Sequence, residues 1–142
     1  MHSRTQQNQN MKNYLAKSAV PSSSSSKKYA MFIGRWQPLT EGHKWLFNQA
    51  LEEGKNVLVC IRDVEPDEKN PWDAREIMMN IFNELQDLVE QGKVRVIIIP
   101  DIESINIGRG VGYDVIEHVP PADIHDISAT KIREQMKAEG KL

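Results

Sequence analysis

Ten consecutive residues, Gly34-Arg35-Trp36-Gln37-Pro38-Leu39-Thr40-Glu41-Gly42-His43, bring together the groups that hold a phosphate. A glycine turn leads out of an apolar run, and His43 stands where a helix opens. Helix starts offer free N–H groups and the positive end of a dipole, both of which suit an anion. Thr40 and His43 are three residues apart, so a turn that is already helical there sets a hydroxyl and an imidazole on one side. Gly42 lets backbone approach a ligand without a side chain in the way, and Arg35 adds positive charge. A second set lies far along the chain, in Ile127-Ser128-Ala129-Thr130-Lys131-Ile132-Arg133. Ser128 and Thr130 can cap a helix while presenting hydroxyl and N–H donors. Arg133 follows Thr130 by one turn on the same face, where its guanidinium fork can grip phosphate oxygens.

These residues need elements to hold them. Tyr29-Ala30-Met31-Phe32-Ile33 is a short apolar run ended by Gly34 and reads as a buried first strand. The helix after His43 carries Leu46, Phe47, Ala50 and Leu51 on one face and stops at Gly54. Residues 56–61 read as a second strand. Asn70-Pro71 reads as a cap and a first-turn proline. Behind them one helix is expected, with Ile77, Met78, Ile81, Phe82, Leu85, Leu88 and Val89 at helical spacing and Gly92 at its end. Residues 94–99 make a third strand stopped by Pro100, residues 114–119 a later strand, and Ile127 leads into a last helix that fades near Gly140. Apolar strands alternating with amphipathic helices predict an α/β fold, a doubly wound Rossmann-like parallel sheet with helices on both faces. Such sheets bind ligands beyond the carboxyl ends of their strands, which is where the first segment falls.

Composition narrows the classes. The chain has 142 residues, 27% of them charged, and a formal net charge of -2. That suits one domain over residues 29–142, preceded by a Ser-, Gln- and Asn-rich tail over residues 1–28 expected to be disordered. There is no basic stripe of the kind that grips a nucleic-acid backbone. No apolar run approaches the ~20 residues of a membrane span, and no secretory h-region opens the chain. The lone Cys60, inside Val57-Leu58-Val59-Cys60-Ile61, reads as a small buried hydrophobe. A cytoplasmic protein is expected, with no nucleic-acid or membrane partner; its oligomeric state is open, a homo-oligomer included.

The first segment resembles the opening signature of the nucleotidylyltransferase superfamily: Gly, x, aromatic, x, x, x, His or Thr, x, Gly, His. The Gly34-Arg35-Trp36-Gln37-Pro38 opening is most similar to nicotinamide-mononucleotide adenylyltransferases, although those usually place histidine where Thr40 stands; pantetheine-phosphate adenylyltransferases place threonine there. Residues 127–133 resemble the superfamily's Ile-Ser-x-Thr-x-x-Arg motif. Asn70-Pro71-Trp72-Asp73-Ala74-Arg75 and Ile99-Pro100-Asp101-Ile102-Glu103 are similar to two further stretches of the archaeal-type enzymes. The likeness spans most of residues 29–136 and fails over residues 104–126, where those enzymes carry a longer segment that helps build the acceptor pocket.

The resemblance implies transfer of a nucleoside monophosphate, AMP from ATP, to a phosphorylated small-molecule acceptor such as nicotinamide mononucleotide, with pyrophosphate released. Thr40, His43 and Arg133 are the implied catalytic residues. Gly34, Arg35, Gln37, Thr40, Gly42, His43, Ser128, Thr130 and Arg133 are the implied nucleotide-binding set. Mg2+ would arrive with the triphosphate, and no protein metal site is expected. Two rivals stand beside this reading: a cytidylyltransferase, disfavoured because those enzymes commonly carry an acidic residue in place of Gln37, and a non-catalytic nucleotide-binding module, which the short middle favours.

Each residue also has a plain structural alternative. His43 fits an ordinary helix start, Arg133 and Lys131 a solvated helix, and Trp72 helix-start packing. Asp63, Glu65, Asp67 and Glu68 fit a solvated loop, and Gly108-Arg109-Gly110-Val111-Gly112 a turn whose spacing is wrong for a dinucleotide loop. His118 and His125 lack metal-ligand spacing. Neither His43 nor Arg133 belongs to an apolar face, so loss of either is expected to leave thermal stability little changed.

Overall fold

A computed structural model describes residues 27–110, 112–121 and 129–140. The predicted tail, residues 1–28, lies outside these except for its last two positions. Three strands form one parallel sheet in the order β1-β2-β3: β1 Tyr29–Gly34, β2 Asn56–Asp63 and β3 Val94–Pro100. Register aligns the side chains into rows. Ala30, Val57 and Val94 are neighbours across the sheet, as are Phe32, Val59 and Val96, and then Gly34, Ile61 and Ile98. Successive residues of a strand face opposite ways, so these rows share one face, and that face is the core.

Helix α1, Glu41–Glu52, brings Phe47 and Ala50 to that face. Helix α2, Ala74–Glu84, brings Ile77, Met78, Ile81 and Phe82, and the short α3, Gln86–Glu90, adds Val89. One cluster contains side chains from all three helices and from β2 and β3, with Ala30 and Phe32 of β1 packed against it. The order explains this: each crossover extends the sheet in the same direction, and right-handed crossovers then deliver every helix to the same face. The last helix, α4, spans Ala129–Ala138. No helix among the described residues is long and apolar enough to cross a membrane.

Three details differ from the sequence reading. Helix α2 starts after Asp73, not at Asn70-Pro71. Asp73 Oδ1 accepts from the Glu76 backbone N–H at 2.8 Å while the Glu76 carboxylate accepts from the Asp73 N–H at 3.4 Å, a reciprocal box that satisfies two donors at once. Asn70 instead closes the preceding turn, where its N–H donates to Asp67 Oδ1 at 2.7 Å. The single helix expected up to Gly92 is broken at Leu85 (φ -116°, ψ 26°) into α2 and α3. No glycine or proline marks the break, so hydrophobic spacing runs straight through it. Lastly, residues 114–119 do not form a strand; residues 101–110 and 112–121 are irregular, with Gly110 and Gly112 at positive φ. Local β propensity does not make a strand without a ladder to join, and Tyr113, Val115 and Val119 stand exposed.

Candidate functional site

The turn after β1 is built around Trp36. Its backbone takes φ 55°, an unusual conformation for a residue with a side chain. The buried ring compensates, at 7% exposure. Its Nε1–H donates to the Cys60 carbonyl at 3.0 Å, and its plane meets the Phe47 ring at 5.2 Å between centroids. Gly34 makes room for it, because a Cβ there would sit 3.0 Å from Trp36 Cε2. Gln37 is equally buried. Its Nε2 donates to the Trp72 carbonyl at 2.6 Å and its Oε1 accepts from the Trp72 N–H at 3.2 Å. The side-chain amide is therefore matched to the backbone N–H and C=O of one residue and ties this turn to the start of α2. Trp72 in turn packs on the core, in keeping with its structural reading. Asn80 Oδ1 accepts from the Leu39 N–H at 3.2 Å and steadies the last step before α1.

Thr40 and His43 do face one another. The His43 N–H donates to Thr40 Oγ1 at 3.2 Å, and the Thr40 N–H donates to His43 Nδ1 at 3.1 Å. This is a capping box in which histidine takes the place usually held by Glu or Gln. It fixes the imidazole's chemistry. Nδ1 accepts, so it carries a lone pair. Burial, and then the charge of Arg133, bring the His43 pKa down to about 4, so the ring is neutral at pH 7 and its one proton is on Nε2. The Trp36 ring stands edge-on to the imidazole at 5.0 Å and 88°. His43 is thus a neutral N–H donor held at the N-terminus of α1.

Arg133, in α4, closes the site from the other end of the sequence. Its Nη1 donates to the Gln37 carbonyl across 96 positions of chain. Burial and then the neighbouring Arg35 pull Arg133 below its ordinary pKa. Two guanidiniums of like charge, beside a helix N-terminus, form a place where an anion is stabilised. Arg35 donates to the Glu65 carbonyl at 3.4 Å and lies 4.0 Å from Asp67, while its buried Nε has no hydrogen-bond partner in the described structure. Asp67 accepts from the Lys69 and Asn70 N–H groups at 2.8 and 2.7 Å. The Asn70 N–H foremost holds its carboxyl below the usual range. One strand further on, Arg62 Nε and Nη2 both donate to Asp101 Oδ1, at 3.0 and 2.6 Å.

Of the sequence-predicted residues, Gly34, Arg35, Gln37, Thr40, Gly42, His43 and Arg133 come together beyond the carboxyl ends of the strands. Ser128 lies outside the described residues, as does His125. Thr130 lies in the first turn of α4, with its side chain and that of Lys131 outside the described set. Sequence reasoning missed the wedge formed by Trp36, the Arg62–Asp101 pair and the role of Asn80. Only Trp36 carried a signal, as the aromatic of the first signature. No group of His, Cys, Asp and Glu among the described residues is arranged to hold a metal ion. Cys60 is a free, buried thiol whose pKa burial pushes up. No protein-family model matches the chain.

The histidine geometry sets a pH dependence. Its pKa is about 4 in the folded protein and 6.5 as the ordinary value, so between these limits the unfolded chain binds more protons. Stability from this group is complete above pH 6.5 and is lost as pH falls toward 4. The shift caps the effect at roughly 3 kcal/mol. His43→Gln keeps a side chain able to close the capping box and removes the titration. Denaturant midpoints taken at pH 7, 6, 5 and 4.5 should therefore fall more steeply for the parent than for His43→Gln. Equal slopes would show that His43 is not buried neutral.

Proposed function

We propose that this chain is a nucleotidylyltransferase, on a doubly wound Rossmann-like domain, that transfers AMP from ATP to a phosphorylated small-molecule acceptor in the cytoplasm. The observation that carries the reading is the contact of Arg133 with the Gln37 carbonyl beside neutral His43, since it joins the two segments on which the resemblance rests. In the reaction an acceptor phosphate oxygen attacks the α-phosphorus in line. The new O–P bond forms as the bond to the β-phosphate bridging oxygen breaks, and pyrophosphate leaves with that electron pair. No protein nucleophile is required, which accords with a buried, unreactive Cys60.

Catalysis then consists of positioning and of stabilising charge as it moves. The His43 Nε2–H donates to a non-bridging oxygen of the α-phosphate. Arg133 and Arg35 meet the charge that grows on the departing pyrophosphate. Thr40 holds the imidazole in orientation through the box and leaves the first N–H groups of α1 turned to the phosphates. Magnesium arriving with the triphosphate would supply further charge neutralisation and would need few protein ligands.

Calorimetric titration of ATP and CTP in magnesium, followed by a pyrophosphate-release screen against a panel of phosphorylated acceptors, tests the reading. Tighter ATP binding and pyrophosphate release with at least one acceptor are expected. Tighter CTP binding would move the chain to the cytidylyltransferase branch. Nucleotide binding without turnover on any acceptor would leave a binding module.

A further inference from the structure

The loop after β2 is fastened back onto the turn after β1 at two points. At its far end the Gln37 amide holds the Trp72 N–H and C=O. At its near end Arg35 Nη2 donates to the Glu65 carbonyl at 3.4 Å, and Arg35 Nη1 lies 4.0 Å from Asp67 Oδ2. The two oxygens of Asp67 are used differently. Oδ1 accepts from the Lys69 and Asn70 N–H groups and closes a turn, in which the Asp67 N–H also donates to the Asn70 carbonyl at 3.0 Å. Oδ2 is the one turned to Arg35. The loop thus carries a carboxylate to a guanidinium that the site offers to phosphate.

The hold on Arg35 is loose. Its partners stand at 3.4 and 4.0 Å, beyond the ~2.7–2.9 Å of a close charge-assisted bond. Its buried Nε meets no acceptor in the described structure, although the side chain is only 20% exposed. Arg62, by contrast, gives Asp101 two donors at 3.0 and 2.6 Å. Arg35 therefore keeps donors free for an anion, with Asp67 beside it as a fixed negative charge. That charge also reaches the second guanidinium: burial and then Arg35 lower the Arg133 pKa, while Asp67 and then Glu134 oppose them. An anion entering beside Arg35 and Arg133 meets two positive groups and one negative one.

The negative group discriminates, because its repulsion grows in proportion to the charge of the ligand. ATP carries about four negative charges at pH 8, and its magnesium complex about two. We propose that Asp67 is a specificity-determining residue that sets the phosphate site against free nucleotide and in favour of the magnesium complex. The inference rests on the nucleotidylyltransferase reading of the site. Asp67 acts as a fixed charge held by its turn, and it takes no part in the transfer itself. Free ATP would otherwise fill the site without the charge neutralisation that departure of pyrophosphate requires.

Calorimetry at pH 8 and constant ionic strength tests this, with ATP in magnesium and ATP in EDTA. The full chain is compared with Asp67→Asn, Asp67→Ser and Glu68→Gln. Asn and Ser keep an oxygen that accepts in such a turn, so both variants should melt close to the parent while the charge is lost. Asp67→Asn should tighten free ATP about tenfold and the magnesium complex about threefold, since half the charge halves the repulsion. Asp67→Ser should do the same, and Glu68→Gln should do neither. Equal tightening of both forms means that the carboxylate competes for Arg35 alone, and overturns selection by charge. Weaker binding of the magnesium complex to Asp67→Asn reveals a carboxylate that serves the metal, which overturns it too. Early melting of both Asp67 variants makes the residue a turn former and overturns its role in selection. Unchanged affinities, or an equal effect of Glu68→Gln, overturn the assignment to Asp67 and leave the site reading intact. A parent that binds neither form overturns both.

Discussion

Replacing His43 by alanine is expected to lower pyrophosphate release by roughly a hundredfold or more, the usual cost of one transition-state donor. The same change should lower the melting temperature. His43 accepts the Thr40 N–H and packs against Trp36, so alanine opens the box that starts α1, a loss of about 1 kcal/mol. This departs from the expectation, from apolar spacing alone, that stability would be little changed. His43→Gln separates the two roles: its Oε1 can close the box, but its amide NH2 does not reproduce the place of the imidazole Nε2–H, so stability should persist while turnover falls. Arg133→Ala should lower nucleotide affinity as well as turnover, because it removes charge that binds the outer phosphates before and during reaction. Arg133→Lys should restore part of the affinity and little of the turnover, since a point charge replaces a fork. Melting temperature, nucleotide affinity and pyrophosphate release are measured for all four beside the parent. Turnover at parental levels in folded His43→Ala and Arg133→Ala would sink the assignment of the site.

What was legible in the sequence follows how local each signal is. The three strands that form were readable because Tyr29 to Ile33, Asn56 to Ile61 and Val94 to Ile99 are mostly apolar runs, the first and last of them ended by Gly34 and Pro100. The start of α1 was placed at His43, two residues inside the helix, because the cap is Thr40, whose hydroxyl accepts the His43 N–H. The start of α2 was misplaced because two capping signals stand three residues apart, and the Asp73–Glu76 pair outcompetes Asn70-Pro71 by satisfying two donors. The strand over residues 114–119 was misread because a short stretch with Val115, Ile116 and Val119 suits a strand locally, while a ladder requires a partner edge. Within the site, spacing placed His43 beside Thr40 but was silent on the tautomer, which depends on the N–H that meets Nδ1. It was silent too on Gln37, whose amide is consumed by a peptide 35 positions away. Long-range pairings of this kind leave no periodicity behind. The exception is Arg133, which reaches the first segment from the far end of the chain, and there the resemblance, not the spacing, supplied the expectation.

The second large effect is expected from the smallest residue of the turn. Gly34→Ala should lower stability by about 1–3 kcal/mol, the cost of inserting a carbon into a close-packed site, and reduce turnover with it. The added Cβ would lie 3.0, 3.1 and 3.3 Å from Trp36 Cε2, Cζ2 and Cδ2. A flexible side-chain tip would give way, but this is the body of a rigid ring. Its N–H is tied to the Cys60 carbonyl at 3.0 Å, and His43 and Phe47 stand 5.0 and 5.2 Å away between centroids. Retreat of the ring therefore strains the donor bond or displaces the imidazole, and the latter moves the Nε2–H from its place. Backbone shift is the other outlet, and it is opposed by the pairing of Gly34 with Ile61 in the sheet. A double-mutant cycle isolates the cause. In the Trp36→Phe background the smaller ring withdraws the atoms that the methyl meets, so the penalty for Gly34→Ala should shrink by about 1 kcal/mol or more. An equal penalty in both backgrounds would show that the indole contact is not what requires glycine at this position.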